Sequence, residues 1–338
     1  MLVYTLRRII LFFPVIFCVL FITFFFGFYA PGDPLEIQFG SGTDYTEDPE
    51  VLERLRKLYG LDRPFFVQFG DYMWKLVRGD MGKSLRVGRG KQTIAEKIRR
   101  AFPISAQIGG LSWVLLVVIG IPLGTLAASK QNSFIDFIIV TFSIAANSIH
   151  VIVLAPLLMV IFVLWLDVMD VPWGWHGLFS VESILPVVIL VTTGLLGVVR
   201  QTRAGVLEVI RQNYVRTARA KGLIERKVIS THMLKNALTP VLTTMGLTMA
   251  GLITGAVFIE RIFAIPGFAG MGINAFQGRD YPVILATTMI GATIIIIANL
   301  LVDLSYGLLD PRVRYLSLIH ISEPTRPRLI SYAVFCLK

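Results

Sequence analysis

Long apolar stretches separated by charged connections divide the chain into crossings and loops. Residues 9–32, 104–128, 183–199, 237–259 and 281–302 carry no charged side chain, and residues 134–166 carry only Asp136. A helix needs about 20 apolar residues to cross the roughly 30 Å of bilayer hydrocarbon. Five of the six runs reach that length. The run from Ser183 has 17 residues, so its helix is expected to extend into flanking polar sequence. A soluble domain would instead show amphipathic stripes, with polar residues every second or third position. The pattern therefore predicts an all-α membrane protein with six transmembrane helices. Arg7 and Arg8 precede the first run as in a signal peptide, but the run is too long and no small-residue cleavage pattern follows before Pro31-Gly-Asp-Pro34. Residues 1–32 read as the first transmembrane helix.

Short basic loops set the orientation. Arg7 and Arg8 place the N-terminus in the cytoplasm. The segment 200–235 falls there after four crossings, with nine Lys or Arg against Glu208 and Glu225, and Arg312 and Arg314 place the C-terminus there after six. The loop 167–182 has no Lys or Arg, as expected of an external loop. Residues 33–103 hold 13 basic and 11 acidic residues and form an external helical insertion between helices 1 and 2, which is permitted because long loops cross largely regardless of charge. The formal net charge of +10 is thus a topology signal and requires no nucleic acid as partner. Two cysteines, Cys18 and Cys336, support neither a disulfide framework nor a metal site, and no His/Cys/Asp/Glu cluster has metal-ligand spacing.

Within the insertion, Val51, Leu52, Leu55 and Leu58 have helical spacing and Tyr59-Gly60 supplies a stop. Residues 65–76 form a second amphipathic piece with an aromatic face. Both read as a helical cap on the outer helix ends, or as a platform for a soluble partner. Gly79-Asp-Met-Gly-Lys-Ser84 imitates part of a phosphate-binding loop, but Val77 stands where its first glycine is required and no apolar strand precedes it, so no nucleotide site is expected.

The polar loop 200–236 divides at Gly222. Val206, Leu207, Ile210, Tyr214 and Ala218 predict a helix continuing from the fourth span; Leu223, Val228, Ile229, Met233 and Leu234 predict a second one. Gly222 suits the break because it takes positive φ without steric cost. Physics alone leaves two readings of this helix–Gly–helix unit, a ridge docking a partner or a basic helix lying on anionic lipid.

Tyr214-Val-Arg-Thr-Ala-Arg-Ala-Lys-Gly222 and His232-Met-Leu-Lys-Asn-Ala-Leu-Thr-Pro240 resemble the coupling motif of binding-protein-dependent ABC importer permeases, in the form of the dipeptide/oligopeptide/nickel subfamily. The general motif begins Glu-Ala-Ala where this chain has Arg216-Thr217-Ala218, and the proline, Pro240, falls later than in the general motif, as in the peptide variant. Ala30-Pro-Gly-Asp-Pro34, Tyr59-Gly-Leu-Asp-Arg-Pro64, Ile121-Pro-Leu-Gly124, Phe263-Ala-Ile-Pro-Gly267, Arg279-Asp-Tyr-Pro282 and Leu309-Asp-Pro-Arg312 are similar to that subfamily's recurrent segments, in order, from Met1 to Tyr315.

The resemblance implies a non-enzymatic transport subunit for di- or oligopeptides in a bacterial or archaeal cytoplasmic membrane. It implies a second homologous permease subunit, two cytosolic ATPase subunits carrying ATP and Mg, an extracytoplasmic substrate-binding protein, and no cofactor on this chain. Residues 104–315 would form a five-helix transporter core. Coupling falls to Arg216, Thr217, Ala218, Arg219, Ala220, Lys221, Gly222, Leu223, Glu225, Arg226 and Lys227, with Ala218 and Ala220 small enough for close approach to a groove. Glutathione and nickel chelates remain alternative substrates.

Polar residues within spans are costly and often functional, which points to Ser143, Asn147, His150 and Asn299 as pathway positions, against interhelical hydrogen bonding as the ordinary role. Competing classes are a stand-alone secondary transporter or channel, which predicts inverted repeats and mid-span ionisable groups, and a membrane scaffold or sensor. Residues 316–338 have two prolines and no sustained periodicity, and read as a disordered or artefactual tail.

Overall fold

The computed structural model describes residues 2–29, 50, 53–54, 56–57, 60, 62–84 and 93–309. The helix expected around residue 55, the segment 30–34 and the tail 316–338 fall largely or wholly outside them. The described residues are helical apart from turns, the irregular loop 166–180 and one isolated backbone bridge between Lys83 and Thr93.

Helix α1 (Leu2–Phe28) is followed by α2 (Phe65–Val77), and Phe65 and Phe69 of α2 meet Phe21 and Phe24 of α1 edge to face at 5.4–5.6 Å. Helix α3 (Ile94–Ser129) starts within the sequence assigned to the insertion. Its start is fixed by a capping box, in which the Glu96 N–H donates to the Thr93 hydroxyl and the Thr93 N–H to the Glu96 carboxylate, both at 3.3 Å. At 36 residues it is about 54 Å long, well beyond the bilayer core.

The run 134–166, expected as one crossing, is two helices, α4 (Phe134–Ser148) and α5 (Val151–Met159), the latter continued by a π-helical turn (Val160–Trp165). They bend by 96° at the intervening break. The polar residues there supply the reason: the His150 imidazole accepts the Ile152 N–H at 3.3 Å and caps α5, while the Ser148 hydroxyl donates to the Ile144 carbonyl at 2.8 Å.

Helix α6 (Ile184–Val209) continues past the apolar run, as expected. A hairpin follows, built from α7 (Asn213–Ala220) and a helical run comprising α8 (Glu225–Lys227), a π-helical turn (Val228–Met233) and α9 (Leu234–Ala237). The fifth apolar run is broken at Gly255 into α10 (Thr239–Ile253) and α11 (Val257–Ile262); then come α12 (Phe268–Gln277) and α13 (Tyr281–Leu309). Among the described residues, five helical stretches are long and apolar enough to cross a membrane, or six if α4 and α5 together make one span.

Helices α3 and α6 pair most extensively. Small residues allow it: a Cβ at Gly120 or Gly124 would collide with Val198, Thr202 or the Val199 carbonyl of α6, and one at Gly194 would press on Leu116. Leu116, Ala127, Leu195, Val198 and Val199 fill this seam, joined by Ile139, Val241 and Met245 from α4 and α10. Large apolar side chains such as Phe13, Phe26, Phe137 and Phe142 point outward, a distribution suited to lipid rather than water.

Candidate functional site

The hairpin is built on a glycine turn. The φ of Gly222 is +74°, the Gly222 N–H donates to the Arg219 carbonyl at 2.9 Å, and the Leu223 N–H donates to the Ala218 carbonyl at 3.4 Å. This pair of bonds is a Schellman motif, with glycine at the one position that needs a left-handed backbone. Two polar bridges tie the arms: Arg219 donates to both carboxylate oxygens of Glu225, at 2.6 and 3.1 Å, and Asn236 donates to the Tyr214 hydroxyl at 2.8 Å. The Arg219 guanidinium holds the Glu225 carboxyl below the usual carboxylate range, chiefly through this hydrogen bond.

The hairpin's inner face forms its own core. Val215, Ala218, Val228, Met233 and Ala237 are buried against Val206 and Val209 of α6 and Ala128 at the end of α3. No Cβ fits at Gly205, because the Ala237 carbonyl lies directly over it, so the second arm is seated on α6 backbone to backbone. Ala218, expected to approach a partner, is turned inward and only 6% exposed; its small size serves close packing within the hairpin. Leu223 is half-buried. Arg216, Thr217, Arg219, Ala220, Lys221, Gly222, Glu225, Arg226 and Lys227 are exposed. At the tip stands a residue the periodicity did not single out, Ile224, 79% exposed. Its signal was its place, two residues beyond the glycine and directly after Leu223.

An ion pair between buried Asp136 and half-buried Arg203 braces the root of the hairpin. Arg203 of α6 donates to both oxygens of Asp136 at 2.7 and 2.8 Å, and Asp136 also accepts the Asn132 N–H at 3.0 Å. Asp136, the lone charge in its apolar run, thereby locks the α3–α4 connection to α6.

The four pathway positions are not gathered together. Ser143 is buried but donates to the Ile139 carbonyl of its own helix at 2.7 Å, an intrahelical rather than interhelical bond. Asn147 and His150 are exposed at the 96° bend, where the His150 ring packs edge to face on Phe258 at 5.7 Å; Asn299 is half-buried on α13.

Toward the other end of α3 lies a second polar site, also unforeseen. Glu260, on the last turn of α11 and only 3% exposed, accepts from the Ser105 hydroxyl and from the Gly270 N–H, each at 2.6 Å. Ser105 in turn accepts the Phe268 N–H at 2.7 Å. Glu260 and Ser105 thus satisfy the open N-terminus of α12, as a capping carboxylate does. Gly255 (φ +105°) and Gly267 leave room for the carboxylate that any Cβ would fill. The sequence signal was available, since Glu260 is the first charge after the apolar run 237–259 and is followed by Pro266-Gly267.

The described residues form a helical membrane-protein fold with a hairpin packed on α6 and the end of α3. The chain belongs to the family described as binding-protein-dependent transport system inner membrane component, which it matches over residues 120–315; residues 1–92 match that system's N-terminal membrane component. It is a multi-pass inner-membrane transport subunit and not an enzyme. It is 35% identical to the oligopeptide transport system permease protein OppB of Haemophilus influenzae, over 93% of this chain and 100% of that protein. It is also 35% identical to the dipeptide transport system permease protein DppB of Escherichia coli K12, over 93% and 99% respectively. A chain of the inward-facing MetNI methionine ABC transporter superposes more loosely, with a TM-score of 0.46 and 20% identity over 65% of this chain and 96% of that one.

Proposed function

We propose that this chain is a permease subunit of an ATP-driven importer for peptides, working with a second permease subunit, two cytosolic ATPases carrying ATP and Mg, and an external binding protein. The oligopeptide and dipeptide permeases are equally similar to it, so the substrate class is peptides of either length. In this reading the chain crosses the membrane six times, the bent pair α4 and α5 making one crossing. Both termini and the hairpin face the cytoplasm, and residues 33–103 lie outside. Asn147 and His150, at the bend, are the pathway candidates best placed to reach a substrate, with Ser143 and Asn299 in supporting packing roles.

The observation that carries the reading is the hairpin's division of labour. Its inner face is packed onto α6 and the end of α3, while its outer face presents Ile224 and the cations Arg216, Lys221, Arg226 and Lys227, which have no ion-pair partner among the described residues. A small apolar anchor in a basic rim suits an acidic-rimmed groove on a partner ATPase. Because the hairpin is seated rigidly, motion imposed on it passes to α6 and α3 as a rigid-body displacement.

The test is ATP hydrolysis by the reconstituted complex in proteoliposomes. Ile224→Glu and Gly222→Pro are each expected to abolish binding-protein-stimulated hydrolysis, Ile224→Glu without loss of membrane insertion. Wild-type stimulation in both variants would overturn the hairpin as the coupling element.

A further inference from the structure

Glu260 and Ser105 do more than finish a helix. Their two hydrogen bonds join α3 to the segment running from α11 into α12, and both pass through the Ser105 hydroxyl, beside apolar contacts such as the Phe102 ring on Phe268 at 5.7 Å. The carboxylate keeps its own bond to the Gly270 N–H. If α3 withdraws, α12 therefore keeps part of its cap, and of these hydrogen bonds only those of Ser105 are lost, together with the apolar contacts of Ile94, Ile98 and Phe102.

Three features make this a contact built to break. A solvent-open cavity of about 740 Å³ adjoins it, lined by Lys97, Arg100, Glu260, Arg261 and Asn274, so water can take over the bonds that Ser105 gives up. The turn holds strain: Ala264 sits at φ +51°, a conformation costly for a residue with a side chain, retained while the adjacent Phe263 carbonyl accepts the Gly174 N–H at 2.8 Å. Beneath the cavity, Ile94 and Ile98 of α3 meet Phe268 and Ala275 of α12 and Val283 of α13, an apolar seam that would open if the turn moved. The same α3 carries the hairpin contact at Ala128, 23 residues and about 35 Å further along its axis.

We infer that the Ser105–Glu260 contact is a latch on the external mouth of the transport pathway, closed when α3 lies against the α11–α12 turn and released when motion at the hairpin shifts α3. Glu260 and Ser105 are positioning residues. They touch no substrate, and they set whether the seam between α3 and α12 is shut. The inference rests on the importer reading for its direction, external versus cytoplasmic.

The experiment uses the full complex in proteoliposomes, in a background carrying Cys18→Ser and Cys336→Ser. Two reporters are compared, Ala275→Cys in the buried seam and Ala264→Cys in the exposed turn, each labelled with a membrane-impermeant maleimide from outside. Ala264→Cys should label rapidly in every background; labelling only from the inside would overturn the orientation, and absence of binding-protein stimulation in the parent complex would overturn the importer reading itself. Ala275→Cys should label slowly in the parent. With Ser105→Ala it should label about five- to twentyfold faster, the range of a typical coupling energy. The same variant should raise ATP hydrolysis without binding protein relative to stimulated hydrolysis. Ser105→Thr, which restores the hydroxyl, should return both values toward the parent, and Glu260→Gln should behave like Ser105→Ala. Parental labelling and an unchanged hydrolysis ratio in Ser105→Ala overturn the latch. So does equal loss of assembled complex in Ser105→Ala and Ser105→Thr with the ratio unchanged, which would make the bonds structural only.

Discussion

The hairpin at Gly222 and the turn held by Glu260 each rely on a glycine with positive φ, Gly222 at +74° in the hairpin turn and Gly255 at +105° against the Glu260 carboxylate, yet they are stabilised in opposite ways. The hairpin buries its apolar inner face and leaves its ion pair in water: Arg219 and Glu225 are 39% and 54% exposed. The Glu260 turn buries its charge and satisfies it with backbone N–H groups and a hydroxyl. An exposed ion pair is weak and screened, whereas a buried, hydrogen-bonded carboxylate is expensive to disturb. The hairpin therefore leaves its outer face exposed, while the turn holds its carboxylate in a single well-defined arrangement.

Substitutions can break that contrast in order of severity. At the hairpin's root, Asp136→Ala leaves Arg203 without its carboxylate and should destabilise the protein by about 3–5 kcal/mol, read as a lower melting temperature in detergent. An unchanged melting temperature would show that the Asp136–Arg203 pair does not brace the root of the hairpin. Glu260→Ala strips acceptors from the Ser105 hydroxyl and the Gly270 N–H and should cost about 2–4 kcal/mol by the same measurement. Gly222→Ala forces a side chain into a left-handed backbone although nothing lies within reach of the added Cβ, so it isolates the backbone term, about 1 kcal/mol. Its effect should appear as faster hydrogen exchange confined to 213–237.

The smallest effect sharpens the comparison through pH. The carboxyl of Glu225 is held below its usual range by Arg219, so the pair's contribution is complete above the usual glutamate value of about 4.3 and is lost as pH falls through the lowered folded value. Hairpin exchange rates, corrected for intrinsic chemistry, should be flat from pH 6 to 9 and rise only below about 4, with Glu225→Gln costing under about 0.5 kcal/mol because the pair is exposed.

The apolar runs determined the helical membrane class, because a helix satisfies its own backbone in hydrocarbon, and the basic loops supplied only an expected orientation. Gly222 was legible as a turn for an equally local reason, since positive φ is a property of the residue itself. What the sequence could not show was where helices break inside an apolar run, or which side of a short polar helix is buried. The 96° bend depends on His150 capping α5, and Ala218 turned inward because Val206, Val209 and Ala128, distant in sequence, offered the apolar surface. The pairings Asp136–Arg203 and Ser105–Glu260 join residues 67 and 155 positions apart. A buried charge carries no sequence mark of its partner, because partners in a membrane bundle are set by which helices pack together, and that is decided by the small-residue seams of the tertiary fold.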